Sequence, residues 1–331
     1  MIRVTQVFRK GNPAFFSIEK VFGLIKPALE NKIRLDSITL PYYSNGLMSI
    51  FRNLYFVYRK RSKNIFHITG DVHYAVMALP ASRTILTIHD CVFLHTTTGI
   101  KRKILKWLFL DMPVRHAALV TTVSEFTKHE IIRFTHCAAD KITVISNPVN
   151  EGIRFEEKVF NTALPVIFFI GTTPNKNLER VIPALEDIRC HLRILGKLTA
   201  AHEQLLLKHH INFSVLTDIC EEELAAAYVQ TDIVLFPSTF EGFGLPVLEA
   251  QKAGRVIITS NMDPMKTVAG GGAFLVDPYD TEDIRKGIKK IISDAGARND
   301  CIRKGFLNIH NYNVSAIAAA YRQLYEKINK N

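Results

Sequence analysis

The chain has 331 residues, 47% of them apolar and 22% charged, which is more than one core of ordinary size takes, so two domains of roughly 150 to 180 residues are expected. Its five cysteines, Cys91, Cys137, Cys190, Cys220 and Cys301, stand singly without a CxxC pair, which argues against a zinc site or disulfide framework and for a reducing, cytoplasmic setting. The net charge of +11 is uneven: residues 1–150 hold 21 Lys and Arg against 9 Asp and Glu, residues 151–331 hold 21 against 22, so an anionic partner is expected for the first half.

The opening residues hold no apolar run long enough for a signal peptide, and no window of about 20 residues is free of charge, so no membrane span is expected. Short apolar runs predict strands at residues 2–7, 64–69, 84–89, 119–123 and 142–145. Amphipathic stretches predict helices at 16–29, 46–61, 101–115 and 125–135. The rhythm stops after Ser146-Asn147-Pro148, and the polar stretch 149–164 reads as a linker. It restarts with predicted strands at 166–170, 192–195, 212–216, 233–237, 255–259 and 273–276, with helices between them.

Short apolar strands alternating with helices imply parallel sheets covered on both faces. The expected fold class is α/β, with two Rossmann-like doubly wound domains, 1–150 and 151–314, facing each other across a cleft at the carboxyl ends of their strands. A last helix over 315–328, in the tail 315–331, carries Ile317, Ala320, Tyr321, Leu324 and Ile328 at helical spacing and is expected to pack back across the seam.

The densest chemical signal is Ser238-Thr239-Phe240-Glu241-Gly242-Phe243-Gly244-Leu245-Pro246-Val247-Leu248-Glu249-Ala250, which follows the predicted strand 233–237. Glycines 242 and 244 allow a tight turn with bare backbone, and a helix starting near Leu245 offers unpaired N–H groups and a positive dipole end to an anion. Pro246 suits a first helical turn. Glu241 stands before the turn and Glu249 about two helical turns into the helix, so two carboxylates bracket the anion site and can accept hydroxyls. A phosphate flanked by hydroxylated rings meets that pattern, as in a sugar nucleotide.

The stretch resembles the E-x7-E signature of retaining glycosyltransferases of family 4, which have the two-domain GT-B architecture. Four further segments resemble that family in its own order: Leu86-Thr87-Ile88-His89-Asp90, residues 120–126 (VTTVSEF), Gly171-Thr172-Thr173-Pro174-Asn175-Lys176-Asn177-Leu178, and Val268-Ala269-Gly270 with Leu275-Val276-Asp277-Pro278. The resemblance implies that Glu241 holds hydroxyls of the transferred sugar, Glu249 the ribose hydroxyls, and the backbone of Gly242, Phe243, Gly244 and Leu245 the sugar and diphosphate oxygens. It implies that Lys176, opening a helix, neutralises the leaving diphosphate, that Asn177 supports the loop, and that His89 lies near the transferred sugar. Thr172, Gly11 and Asn12 join the donor-binding set. No cofactor and no divalent metal are expected, because Lys176 and the helix end supply the positive charge.

Three departures stand out. Thr172 occupies a position where many relatives carry Arg, which leaves Lys176 as the clear cation and Lys197 or Arg180 to compensate. Lys266-Thr267 replaces the usual Pro-Glu, and Lys10-Gly11-Asn12-Pro13 stands where a Gly-Gly loop is common. His67 and His73 flank Gly70-Asp71 and read equally as structural groups or acceptor contacts. The basic stretch 99–116, with Lys101, Arg102, Lys103 and Lys106 around Trp107, Leu108, Phe109 and Leu110, is expected to put its apolar side into the core; the lysines, with Arg59, Lys60, Arg61 and Lys63, would then face a membrane or a lipid-diphosphate acceptor.

The function expected is a retaining, metal-independent glycosyltransferase acting on GDP-mannose, UDP-glucose or a similar donor and a glycan or lipid-linked acceptor, in bacterial surface polysaccharide or lipopolysaccharide synthesis. The setting expected is the cytoplasm, at the inner face of the plasma membrane. The alternatives are a non-catalytic basic module for nucleic acid or anionic lipid, or another sugar-nucleotide enzyme such as an epimerase or inverting transferase. Nucleic acid is not an expected partner, since exposed aromatics interleaved with the basic residues are not expected and no nucleic-acid motif is present.

Overall fold

The structure, a computed structural model, describes residues 1–11, 17–30 and 32–330. Asn12, assigned above to the donor set, and Phe16, the first residue of a predicted helix, lie outside the described residues. The chain divides into two compact units, Met1–Pro148 with a C-terminal segment from Tyr312, and Val149–Asn311.

The first unit is built on a six-stranded, wholly parallel sheet of β1 (Ile2–Phe8), β2 (Ile33–Thr39), β3 (Ile65–Ile68), β4 (Thr84–Ile88), β5 (Leu119–Thr122) and β6 (Ile142–Val144). The order across the sheet is β2-β1-β3-β4-β5-β6. Every residue of β3, β4 and β5 is buried, as expected for central strands with helices on both faces. Strand β2 was not expected from the sequence. It is an edge strand whose Arg34, Asp36 and Ser37 break the apolar run, and only Ile33 in it is buried. The first core holds Val7, Phe66, Ile68, Leu86, Ile88 and Val120 among its buried members.

The C-terminal helix Val314–Lys330 belongs to this first unit and packs along helix Ser17–Glu30. Its inward face is Ile317, Tyr321, Leu324, Tyr325 and Ile328, all buried. Tyr321 meets Phe22 at a ring separation of 5.6 Å, and the Tyr325 hydroxyl lies 2.7 Å from His67 Nδ1. Burial and helical spacing therefore agree along this element.

The second unit repeats the plan with β7 (Val166–Ile170), β8 (His191–Leu195), β9 (Phe213–Leu216), β10 (Ile233–Phe236), β11 (Val256–Ser260) and β12 (Phe274–Val276). All pairings are parallel and the order is β12-β11-β10-β7-β8-β9. Strand order reverses between β7 and β10, so the loops leaving their carboxyl ends diverge to opposite faces and leave a crevice at the switch point. Both units are thus Rossmann-like, as the alternating pattern predicts.

The basic stretch departs from expectation. Helix Gly99–Lys106 runs through a π-helical turn, Trp107–Asp111, into Met112–His116. Leu108 and Leu110 are buried, but Ile100, Ile104 and Trp107 are 73%, 52% and 54% exposed. Of the apolar residues expected in the core, Leu108 and Leu110 are buried and Phe109 packs against the core, whereas Trp107 faces outward beside a preceding helix that buries no residue.

Candidate active site

Two loops of the second unit meet at its switch point. The first leaves β7 through Gly171, whose φ of 87° suits glycine, and a Cβ there would come within 2.9 Å of the Lys176 stem. The chain then makes a single 3-10 turn, Pro174–Lys176, before Asn177 takes a left-handed conformation with φ 73° and helix Leu178–Ala184 begins. Lys176 was expected to open that helix. It instead ends the turn before it, because the left-handed Asn177 separates the two segments.

The second loop runs from Pro237 to Gly244, and Gly244, with φ 98°, caps helix Leu245–Ala253, with Pro246 in the first turn. The loops are laced together. Thr239 donates its N–H to the Asn175 carbonyl at 2.8 Å, and its hydroxyl donates to the same oxygen at 3.3 Å. Asn175 Nδ2 returns a bond to the Phe240 carbonyl at 3.0 Å and reaches Glu241 Oε1 at 3.3 Å. On that same oxygen Lys176 places its ammonium at 2.5 Å, with Nζ also 4.8 Å from the centre of the Phe236 ring. The two side chains are 20% and 14% exposed, so the pair is partly desolvated yet reachable from solvent.

Asn177 is 1% exposed and acts as a staple. Its amide donates to the carbonyls of Pro237 at 3.1 Å and Pro278 at 2.6 Å, joining the loops after β7, β10 and β12, while Arg180 donates to its oxygen at 2.9 Å. Thr172 turns away from the pair and gives its hydroxyl to the Lys197 carbonyl at 2.8 Å. Glu249 is the fifth residue of its helix, about one turn from the start rather than the two expected, because Glu241–Gly244 form a loop and add no helical turn. It is buried and accepts a 2.7 Å bond from Tyr228. Burial and the Glu249 carboxylate push the Tyr228 hydroxyl well above its usual range, so it remains a donor. Phe243 is buried, and Gly242 sits in the bend between Glu241 and Gly244.

A separate cluster lies in the first unit. His89 follows β4 and is 2.8 Å from the Thr69 carbonyl through Nε2, so Nε2 carries the proton. Burial above all holds its pKa below the usual range, so the ring is neutral at pH 7 and Nδ1 is an acceptor. Gly70, with φ 144°, is required beside it, since a Cβ would come within 2.6 Å of His89 Cδ2. Asp71, His73, His89 and Asp90 line one side of a cavity of about 280 Å³ that Phe93 and Phe109 close with apolar surface. Asp71 is paired with Arg9, which also holds Glu19 at 2.9 Å. His73 donates to the Phe109 carbonyl at 2.7 Å. Gly11 is exposed, its carbonyl accepting from Tyr43 at 3.0 Å.

Of the two histidines left open by the sequence, His73 reaches this cavity and His67 does not. His67 is fully buried, bonded at 2.7 Å to both the Tyr325 and Thr87 hydroxyls, and Thr87 continues to Thr121 at 2.6 Å. Burial, with a smaller effect of His89, pushes its pKa down to about 3. Sequence reasoning missed Asn175, Thr239, Tyr228, Asp71 and Asp90 as members of these clusters. Asn175 lay inside the quoted GTTPNKNL loop and Asp90 inside the LTIHD segment, whereas Tyr228 sits in helix Glu221–Val229 with no local mark of its partner. Among the described residues no group of three or more His, Cys, Asp or Glu is placed to hold a metal ion.

Residues 19–152 match the family profile described as Glycosyltransferase Family 4, and residues 151–307 match Glycosyl transferases group 1. The chain is 28% identical over 205 residues to the serotype-specific mannosyltransferase WbdA of Escherichia coli, over 54% of this chain and 25% of WbdA. It therefore spans about a quarter of that relative's length. Among solved structures, the sucrose-phosphate synthase of Thermosynechococcus elongatus matches with a TM-score of 0.81 at 15% identity, over 100% of both chains. The Anabaena protein HepE, solved in complex with UDP-glucose, matches with a TM-score of 0.77 at 14% identity, again over 100% of both. These likenesses establish the two-domain GT-B fold.

Proposed function

The chain belongs to the family 4 glycosyltransferases, and from that premise we propose that it moves a sugar from a nucleoside-diphosphate donor to a glycan or lipid-linked hydroxyl, with retention and without a divalent metal. The observation that carries this reading is the Lys176–Glu241 pair at the β7/β10 switch point, beside the positive end of helix Leu245–Ala253. A diphosphate entering there exchanges with Glu241 as the counter-ion of Lys176. The released Glu241 carboxylate then accepts hydrogen bonds from the sugar hydroxyls. Glu249, steadied by Tyr228, is suited to the two ribose hydroxyls.

In the reaction the bond from the anomeric carbon to the diphosphate oxygen breaks and a bond to the acceptor oxygen forms on the same face. The acceptor proton passes to the departing phosphate oxygen. Lys176 and the helix end stabilise the charge that grows on the leaving group, which is the work a metal ion does elsewhere. The first unit supplies the acceptor side: neutral His89 and His73, with Asp71 and Asp90, offer hydrogen bonds to hydroxyls, and Phe93 and Phe109 an apolar wall for a sugar ring. Its basic charge suits an anionic membrane face carrying a lipid-linked acceptor.

The likeness to a mannosyltransferase favours GDP-mannose as donor and surface polysaccharide as product, with UDP-glucose the next candidate. The test is a thermal-shift screen of nucleotide sugars and free nucleotides with EDTA throughout, followed by transfer and anomer analysis by NMR. Stabilisation by one nucleotide sugar and a product retaining the donor's anomeric configuration are expected. Inversion, a strict metal requirement, or no response to any donor would overturn the reading.

A further inference from the structure

The first unit carries an apolar helix face that its own core does not use. Helix Leu47–Arg59 has the sequence LMSIFRNLYFVYR and buries only Ile50, Asn53 and Val57, which share one face at i, i+3 and i+7. On the opposite side Leu47, Met48, Phe51, Tyr55 and Tyr58 are 67%, 65%, 64%, 64% and 54% exposed. Leu47, Phe51, Tyr55 and Tyr58 follow one another at spacings of four, four and three residues, so they form a single stripe. A helix apolar on both sides is one that needs a second apolar neighbour.

Basic groups border the stripe. Between Asp36 and Asp71 the sequence has Arg52, Arg59, Lys60, Arg61 and Lys63 and no Asp or Glu. Several of these cations sit over rings at the stripe's edge, Arg61 4.6 Å from the centre of Tyr58 and Arg52 5.5 Å from that of Tyr42. Arg52 and Arg59 also line a groove of about 600 Å³ with Tyr42, Phe51, Tyr55 and Phe56. A second patch of the same character lies on helix Gly99–Lys106, where exposed Ile100, Ile104 and Trp107 are interleaved with Lys101, Arg102 and Lys103. The segment His73–Ala78 packs against helix Leu47–Arg59 and against the Trp107–Asp111 turn, which ties both patches to one support.

We propose that this face docks on an anionic lipid bilayer, with Leu47, Phe51, Tyr55 and Tyr58 entering the interface between acyl chains and headgroups and the flanking arginines and lysines pairing with lipid phosphates. Phe, Leu and Met have no use on a surface meant for a hydrated polyanion, and a basic stretch whose sequence holds no Asp or Glu repels its like on a second copy of the chain. A bilayer interface accepts both kinds of side chain at once. This deepens the reading of a basic first unit beside a membrane and does not depend on the transfer reaction.

The experiment is co-flotation of the full chain with vesicles of phosphatidylglycerol and phosphatidylcholine in equal parts, against vesicles of phosphatidylcholine alone, followed also by emission from Trp107, the only tryptophan. Flotation with the anionic vesicles and a blue shift of Trp107 are expected, and neither with the neutral ones. The double variant Phe51→Ser with Tyr55→Ser is expected to lose vesicle affinity by roughly tenfold or more at an unchanged melting temperature, since both side chains are mostly solvated. Binding of the variant as tight as that of the parent, lost only in high salt, would mean contact through charge alone and overturn the docking of this face. No flotation of the parent would remove the membrane reading altogether and leave the donor assignment untouched. A dimer in sedimentation velocity that the variant dissolves, without vesicle binding, would make the face an interface between copies and overturn the proposal.

Discussion

Lys176 Nζ lies 2.5 Å from Glu241 Oε1, although the two residues are 65 positions apart. Strands β8 and β9 intervene in the sequence, but β7 and β10 are neighbours in the sheet, and their carboxyl-end loops deliver the two side chains to one point. On the proposed function, a diphosphate that engages Lys176 frees the Glu241 carboxylate for the sugar hydroxyls.

Removing the carboxylate tests that. Glu241→Ala is expected to lower kcat at least about a hundredfold, or roughly 2.7 kcal/mol of transition-state stabilisation, while nucleotide binding survives. Lys176→Ala is expected to weaken diphosphate binding by about tenfold or more, read by calorimetry with free nucleoside diphosphate. Wild-type turnover by the Glu241 variant would remove this carboxylate from the mechanism.

Asn175 bridges the Phe240 carbonyl and Glu241 Oε1, which on the proposed function makes it a positioning residue. Asn175→Ala is therefore expected to lower kcat by about tenfold with a smaller change in donor affinity. A loss confined to KM would assign it to binding instead.

The hydroxyl of Tyr228 is its link to Glu249, and its ring packs edge-on against Phe168 at 5.3 Å. Tyr228→Phe keeps the ring and removes the donor, so a loss of about 1.5 to 3 kcal/mol is expected in urea denaturation. Weaker binding of ribonucleotides than of their 2′,3′-dideoxy analogues, relative to the parent, should accompany it if Glu249 holds the ribose.

His67 makes a pH prediction. Its ring is neutral in the fold down to about pH 3, whereas in the unfolded chain it takes a proton near 6.5. The stability it contributes is complete above pH 6.5 and falls as pH drops from there towards 3, by about 1.4 kcal/mol per unit. Denaturation midpoints between pH 7 and 5 should show that slope, and His67→Gln should remove about one proton's worth of it. His73 and His89, whose pKa values burial also lowers, leave a residual slope.

The sequence by itself determined both Rossmann-like units and most of their strands, because buried parallel strands must be continuous apolar runs. It also located the turn chemistry of Gly244 and Pro246, since a left-handed cap and a first-turn proline are local demands met by residue type. Edge strand β2 escaped it, because a strand with one neighbour and mostly solvated side chains needs no apolar run. Tertiary structure alone decided which polar groups meet: Asn175 with Glu241, Tyr228 with Glu249, and His67 with Tyr325 of the C-terminal helix, 258 residues away. It alone also decided which apolar faces stay outside, as on helix Leu47–Arg59 and at Trp107. Periodicity records that a side chain is apolar and on which side of its own helix it lies, but whether that side meets a core or solvent depends on strand order and neighbours that no local pattern encodes.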